Sequence, residues 1–275
     1  MGRLMSNDTA SFTGNIPQEY DRGLGPAIFV DYAADMAQRL ATLAPPPARV
    51  LELAAGTGIV TRRLRDALPP ATALTATDLN PPMLDVARAR FRPGEAVDFQ
   101  PADATDLPFG DATFDAVVCQ FGVMFFPDKD RSYREVHRVL APGGRYLFSV
   151  WDSHRHNPYG RIAHEVVGSF FPADPPRFYQ VPFGYHAIDP IKEALIGAGF
   201  GEIKVHVVAL KKEIPDVAAF ARGLVYGNPT IEEIRTRGGA QPDQIVSALA
   251  KALWREFAAP GWMPLQAIVF DMVRP

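Results

Sequence analysis

The run Val50-Leu51-Glu52-Leu53-Ala54-Ala55-Gly56-Thr57-Gly58-Ile59-Val60-Thr61 holds the residues best suited to chemistry. Its apolar residues read as a short buried strand with Glu52 near the end, and the glycines read as a turn that opens a helix. At Gly56 and Gly58 the missing Cβ permits positive φ and lets a ligand lie against the main chain, beside the first amide donors of the helix. A Gly-x-Gly turn is common, so its surroundings decide its meaning. A second strand, 71–77, ends in Asp78, about twenty residues past Gly58, where a carboxylate can accept hydrogen bonds from ribose hydroxyls. A third strand is followed by another acid, Asp103. Asp78 and Asp103 also read as ordinary strand-end acids. Taken together, at the ends of consecutive strands, they converge on the crevice where open α/β sheets bind ligands. The pattern describes a ribose-bearing ligand.

Two ligands share that geometry, a nicotinamide dinucleotide and S-adenosylmethionine. Dinucleotide loops call for a third small residue three positions after the second glycine, for close packing of helix on strand; here that residue is Thr61. S-adenosylmethionine carries no pyrophosphate and needs less from the helix N-terminus. It needs an anion near its ammonium and sulfonium groups, and Glu52 is placed to supply part of that field.

Four ordered segments extend the pattern: Leu51-Glu52-Leu53-Ala54-Ala55-Gly56-Thr57-Gly58, Ala76-Thr77-Asp78-Leu79-Asn80-Pro81-Pro82-Met83-Leu84, Asp103-Ala104-Thr105-Asp106-Leu107-Pro108-Phe109 and Arg138-Val139-Leu140-Ala141-Pro142-Gly143-Gly144-Arg145. On these segments the stretch 49–151 resembles the core of class I S-adenosylmethionine-dependent methyltransferases, of the small-molecule kind that includes the ubiquinone/menaquinone-type enzymes. The resemblance implies that Asp78 holds the ribose, that Leu79 and Met83 pack on the adenine, and that Asp103 and the backbone of Ala104 meet its amino edge. It further implies that Gln120 and Phe121 lie beside the methionine moiety, with Glu52, Ala54, Gly56, Thr57 and Gly58 forming the loop. The sequence departs from the family pattern at Ala54-Ala55, where many members carry a glycine first. Pro142-Gly143-Gly144 reads as a helix stop and turn, and Leu79 and Met83 read equally as core.

The elements that must position these residues alternate. Strands are expected at 49–53, 72–77, 97–101, 114–119 and 145–151, and helices at 59–68, 81–91 and 130–140, a pattern that implies a parallel sheet covered on both faces. Before them, residues up to about Gly25 read as polar and turn-rich. Ile28, Tyr32, Met36, Leu40 and Leu43 then repeat at helical spacing until Pro45-Pro46-Pro47. After them come a helix at 191–198 and strands at 203–210 and 265–273. The expected fold class is α/β, a Rossmann-like doubly wound sheet with a cap, and the resemblance implies seven strands in the order 3-2-1-4-5-7-6. The chain reads as a single domain, 1–275: a core at 46–151, 190–211 and 264–275, an N-terminal lid and helix at 1–45, and cap segments at 152–189 and 212–263. Within the second cap segment Ile245, Leu249, Leu253 and Phe257 form an i, i+4 stripe.

Tyr159, Phe170, Phe171, Phe178, Tyr179, Phe183 and Tyr185 crowd the first cap segment and suggest a pocket for a partly apolar or aromatic acceptor. Tyr159, Tyr179 and Tyr185 are expected to face a cleft, and the phenylalanines to form the cap's own core. His154 and His156, with His164 further on, lack the carboxylate or cysteine company of a zinc site, so no metal is expected. As a general base a histidine suits proton abstraction near neutral pH, and these residues read equally as solvated loop histidines. His154, His156, Tyr159 and Tyr20 are the candidate catalytic residues. The resemblance implies that a Tyr-Asp pair such as Tyr20-Asp21 closes over the cofactor.

Composition bounds the partners. The 28 basic and 31 acidic residues give a net charge of −3, which offers no overall attraction to a phosphate backbone, so nucleic acid is not an expected partner. No run approaches the roughly 18 apolar residues of a membrane span, and a membrane is likewise not expected. The lone cysteine, Cys119, permits no intrachain disulfide, and the expected location is the cytoplasm. Met1-Gly2-Arg3-Leu4-Met5-Ser6 fits the loose myristoylation pattern without the second signal that stable anchoring requires, and reads as coincidence. The resulting expectation is an S-adenosylmethionine-dependent methyltransferase that releases S-adenosylhomocysteine and acts on a small acceptor. A non-catalytic binding module of the same fold and a nicotinamide-dependent oxidoreductase are the alternatives.

Overall fold

The computed structural model describes residues 8–214 and 216–275; the N-terminal hexapeptide of the myristoylation pattern lies outside them. Seven strands form one sheet: β1 (Arg49–Glu52), β2 (Ala73–Asp78), β3 (Val97–Pro101), β4 (Phe114–Gln120), β5 (Leu140–Trp151), β6 (Gly201–Lys212) and β7 (Met263–Val273). Their order is β3-β2-β1-β4-β5-β7-β6, the order the resemblance implied. β1 pairs parallel with both β2 and β4, β2 with β3, and β4 with β5. Val50, Leu51, Val117, Val118 and Cys119 are all excluded from solvent. These continuous apolar runs, rather than alternating ones, mark strands covered on both faces.

Among the described residues the helices are α1 (Ile16–Glu19), α2 (Val30–Ala41), α3 (Ile59–Ala67), α4 (Pro81–Arg88), α5 (Lys129–Val139), α6 (Pro158–Ser169), α7 (Ile188–Gly197), α8 (Val217–Tyr226), α9 (Thr230–Arg237) and α10 (Pro242–Phe257). The chain gathers into two compact units. One comprises Val30–Val150, His186–Val207 and Ile268–Pro275; the other takes the chain through Phe29, with Trp151–Tyr185 and Val208–Ala267. The first contains the glycine loop and the strand-end acids. In the second, the expected stripe of Ile245, Leu249, Leu253 and Phe257 on α10 is buried.

Two segments differ from expectation. Residues 16–29 are helical where turns were expected through Gly25: α1 runs into a π-helical segment, Tyr20–Phe29. Its glycines serve contact rather than turning. A Cβ on Gly23 would lie 2.5 Å from the Ala219 carbonyl oxygen and 2.7 Å from Gly223 Cα, and a Cβ on Gly227 would lie 2.8 Å from Tyr20 N. The two backbones therefore touch. Pro26, which has no N–H to donate, sits inside the wider turns of this segment.

The second difference lies at Pro142-Gly143-Gly144. α5 stops at Val139 and β5 already starts at Leu140, so the turn is a bulge inside the strand. The register steps from Leu140 opposite Phe114 to Arg145 opposite Ala116. Arg274, the residue directly after β7, supplies the bulge's partner: Gly143 N–H donates to the Arg274 carbonyl at 2.8 Å, and Arg274 N–H donates to the Gly144 carbonyl at 2.9 Å. Local sequence shows the glycines, but only the returning C-terminal strand gives them a ladder.

Candidate functional site

The loop after β1 is held in a left-handed path, with φ of +51° at Ala54, +56° at Gly56 and +77° at Gly58. The two glycines do different work. A Cβ on Gly58 would lie 2.8 Å from Ala87 Cβ, so this residue lets α3 approach α4. A Cβ on Gly56 would meet nothing within 4 Å, so Gly56 borders open space where a ligand can reach the backbone. The loop is pinned to β2: Ala55 N–H donates to the Thr77 carbonyl at 2.9 Å, and Thr77 Oγ1 donates to the Glu52 carbonyl at 2.9 Å. Thr57, itself buried, offers its carbonyl to Arg90 Nε at 2.6 Å.

Ala54 stands where the family pattern has glycine, and it adopts the glycine conformation nonetheless. Its methyl is accommodated by a residue that sequence reasoning missed. A Cβ on Gly122 would lie 2.5 Å from Ala54 Cβ and 2.7 Å from Cys119 Sγ. The signal was present in the sequence as a glycine directly after Gln120-Phe121, but its partner 68 positions earlier was not.

The acids are organised by backbone donors. Asp78 is buried; its Oδ2 accepts the Gly56 N–H at 2.8 Å, while Oδ1 accepts Asn80 N–H at 2.8 Å and Asn80 Nδ2 at 3.3 Å. Burial raises the Asp78 pKa, and the donors from Asn80 and Gly56 oppose that shift. A carboxylate has about four lone-pair sites, so three donors leave Asp78 one acceptor position open, and a second when the longer Asn80 contact is released. Glu52 is 2% exposed. Burial pushes its pKa up to about 8, the charge of Asp78 adds to the rise and Thr61 opposes it. Oε2 of Glu52 and Oγ of Ser149, on β5, are buried with no hydrogen-bond partner among the described residues. Asp103 is exposed, and its Oδ1 caps a turn by accepting from Thr105 N and Oγ1, both at 2.8 Å; Ala104 is buried within that turn.

At the end of β4, Gln120 is half-buried and Phe121 is buried with φ of +53°, its N–H donating to the Ser149 carbonyl at 3.0 Å. The Phe121 ring stands edge-on to Tyr32 at 5.4 Å. Left-handed conformations at non-glycine residues cost about 1–3 kcal/mol and cluster at functional sites; Ala54 and Phe121 are two of them. Leu79, beside Asp78, is 57% exposed although apolar, whereas Met83 is buried in α4.

The second unit places the remaining candidates. Tyr159 and Tyr179 are buried, which corrects the expectation that they face a cleft. Tyr179 spends its hydroxyl on the Leu224 carbonyl and the Asn228 amide, and Tyr159 packs against Trp151, Phe183 and Phe220. Tyr185 is half-buried and His156 is exposed. Tyr20 stacks on Phe29 at 4.8 Å. His154 is half-buried against Phe183.

Residues 51–148 match a family described as methyltransferase domain. The demethylmenaquinone methyltransferase of Thermus thermophilus is 45% identical over 102 residues, 37% of this chain and 46% of that protein. The ubiquinone/menaquinone biosynthesis C-methyltransferase UbiE of Laribacter hongkongensis is 34% identical over 182 residues, 61% of this chain and 75% of that protein. Phosphoethanolamine N-methyltransferase 2 of Haemonchus contortus, solved in complex with S-adenosyl-L-methionine, shares the fold with a TM-score of 0.62 at 18% identity, over 98% of this chain and 59% of that one. The glycine loop, the strand-end acids and the sheet order define an S-adenosylmethionine-binding α/β protein. The chain belongs to the class I S-adenosylmethionine-dependent methyltransferases. It spans about half the length of several of the curated relatives it matches.

Proposed function

We propose that the protein transfers a methyl group from S-adenosylmethionine to a small, partly apolar or aromatic acceptor. One observation carries the reading: Asp78 Oδ2 holds the Gly56 N–H at 2.8 Å, which ties a ribose-binding acid to a loop whose open face is backbone. The quinone-pathway names of the relatives favour a ring acceptor methylated at carbon.

In this reading Asp78 binds the ribose, Leu79 and Met83 flank the adenine, and Asp103 with Ala104 meets its amino edge. The exposure of Leu79 fits such a role, since an apolar side chain left in water beside the loop is covered once a ring lies on it. Ala54, Gly56, Thr57 and Gly58 supply the backbone cradle. Gln120 and Phe121 border the methionine part, and Glu52, with one oxygen unpartnered, supports the positive charges there. The bound cofactor supplies an electrophilic methyl on a sulfonium. The chain's own contribution is placement: well-oriented reactants gain about 7–11 kcal/mol of barrier, and transfer then needs no protein nucleophile. Tyr20 acts as a lid residue in the same reading, and 1–275 works as a single methyltransferase domain whose cap segments, 152–189 and 212–263, receive the acceptor. A cytoplasmic setting fits the single buried thiol, Cys119, whose pKa burial pushes up to about 12.

Calorimetric titration with S-adenosylhomocysteine, beside a reduced nicotinamide control, tests the proposal. Stoichiometric binding of the first alone is expected. Binding of the nicotinamide, or of neither by folded protein, overturns it.

A further inference from the structure

Two imidazoles in the unit containing Trp151–Tyr185 lie side by side: His154, just past β5, and His164, on α6. Their centroids are 6.0 Å apart and their planes 27° apart. His154 Nε2 and His164 Nδ1 are both buried, and neither has a hydrogen-bond partner among the described residues. An unpaired buried polar atom costs about 1–3 kcal/mol. Two of them on neighbouring rings call for a hydrogen-bonding partner that the described residues do not provide.

The backbone of Tyr179 favours the protonated ring of His154. Nε2 itself has no partner among the described residues, and in the tautomer that carries its proton on Nδ1 it presents a bare lone pair. Burial lowers the pKa of His154; His164 and Arg161 act in the same direction, and the Tyr179 backbone and Glu165 oppose them. Burial thus favours the neutral ring, whose unprotonated nitrogen can accept from a neutral O–H. The neighbouring wall is aromatic. Phe183 lies 4.6 Å from His154, and its own neighbours are Tyr159 at 5.7 Å and Trp151 at 6.4 Å. Gly160 on α6 makes room for it, since a Cβ there would lie 2.3 Å from the Phe183 ring. Polar acceptors beside ring faces match a ligand that is flat, apolar and hydroxylated.

We propose that His154 and His164 form a recognition site for the hydroxyl of an aromatic ligand, with His154 Nε2 accepting the phenolic O–H and Phe183 packing beside the ring. Equating this ligand with the methyl acceptor rests on the reading under Proposed function; the site itself does not.

The test compares naphthol with its methyl ether, which keeps the ring and lacks the donor, using binding to the full chain. Wild type is expected to bind naphthol on the order of tenfold more tightly than the ether. His154→Phe and His164→Phe are each expected to bring that ratio near one while leaving S-adenosylhomocysteine binding unchanged. Equal affinity of wild type for the two probes, as from a site that holds only water, overturns the proposal, as does a preference that survives His154→Phe. If the variants do not fold, histidine nitrogen NMR of wild type decides: naphthol must shift the Nε2 resonance of His154, and an unmoved resonance rejects the site. Absence of S-adenosylhomocysteine binding to wild type rejects methyl transfer instead, and leaves the naphthol preference to judge the histidines.

Discussion

Asp78 and Gly56, 22 residues apart in the chain, are joined by a 2.8 Å hydrogen bond from the loop amide to the carboxylate. The acid expected to hold the ligand is thus also the acid that sets the loop. Hydrogen bonds to a charged partner contribute about 1.5–3 kcal/mol. Asp78→Ala is therefore expected to lower unfolding free energy by about that amount while the protein stays folded, and to weaken S-adenosylhomocysteine at least tenfold. Urea denaturation and calorimetry on the same variant check both; unchanged affinity would remove Asp78 from the site.

Glu52 makes stability depend on pH. Its folded pKa of about 8 stands above the ordinary 4.5, so the folded state keeps a proton that the unfolded chain gives up. This contribution is complete below about pH 4.5 and is lost as pH rises toward 8, at no more than about 1.4 kcal/mol per pH unit. Glu52→Gln is expected to be the more stable protein at pH 8 and to flatten the decline between those limits, as read by Tm across that range.

The same acid links protons to ligand binding. A sulfonium and an ammonium placed near Glu52 favour its charged form, so cofactor binding at pH 7 is expected to release a proton. Titrations in buffers of different ionisation enthalpy should give different heats for wild type and equal heats for Glu52→Gln. Equal heats for wild type would place the cofactor's charges elsewhere.

Ala54 and Gly122 form a size-matched pair. Gly122→Ala brings a methyl to 2.5 Å from Ala54 Cβ and 2.7 Å from Cys119 Sγ, with an expected loss of about 1–3 kcal/mol. Ala54→Gly removes both the left-handed penalty and one of the two clashes, so the double variant is expected to lose less than Gly122→Ala alone. A double-mutant cycle measures the coupling; strict additivity would mean the two residues do not meet.

Arg65 is buried, and its guanidinium donates to the carbonyls of Thr72, Leu68, Ala96 and Pro69. This fork closes the end of α3 against the start of β2. Arg65→Lys keeps the charge but loses the planar geometry, and a drop of about 2–4 kcal/mol is expected from the carbonyls left without donors. A change below about 0.5 kcal/mol, the usual range for surface substitutions, would show that water replaces the fork.

Most of the sheet, and the glycine loop and strand-end acids of the candidate site, were legible in the chain itself, because the information there is local. Apolar runs of strand length, a glycine turn at a strand end and an acid at the next strand end each lie within a few residues, and the α10 stripe is a one-helix pattern. Three things were not legible. Gly23 looks like a turn former until a second backbone packs so close that a Cβ there would lie 2.7 Å from Gly223 Cα. Pro142-Gly143-Gly144 looks like a helix stop until Arg274 pairs with it. Tyr179 looks like a cleft residue until Leu224 and Asn228 take its hydroxyl.

The sequence by itself determined the order and kind of the elements and the chemical types at the loop, since hydrophobic period, missing side chains and charge are properties of neighbouring residues. The tertiary structure alone decided which polar atoms are spent and which remain. Asp78 has most of its acceptor capacity engaged, Glu52 Oε2, His154 Nε2 and His164 Nδ1 have no partner among the described residues, and Ala54 is tolerated because Gly122 is small. Satisfaction and fit depend on partners distant in sequence, and only folding brings those partners together.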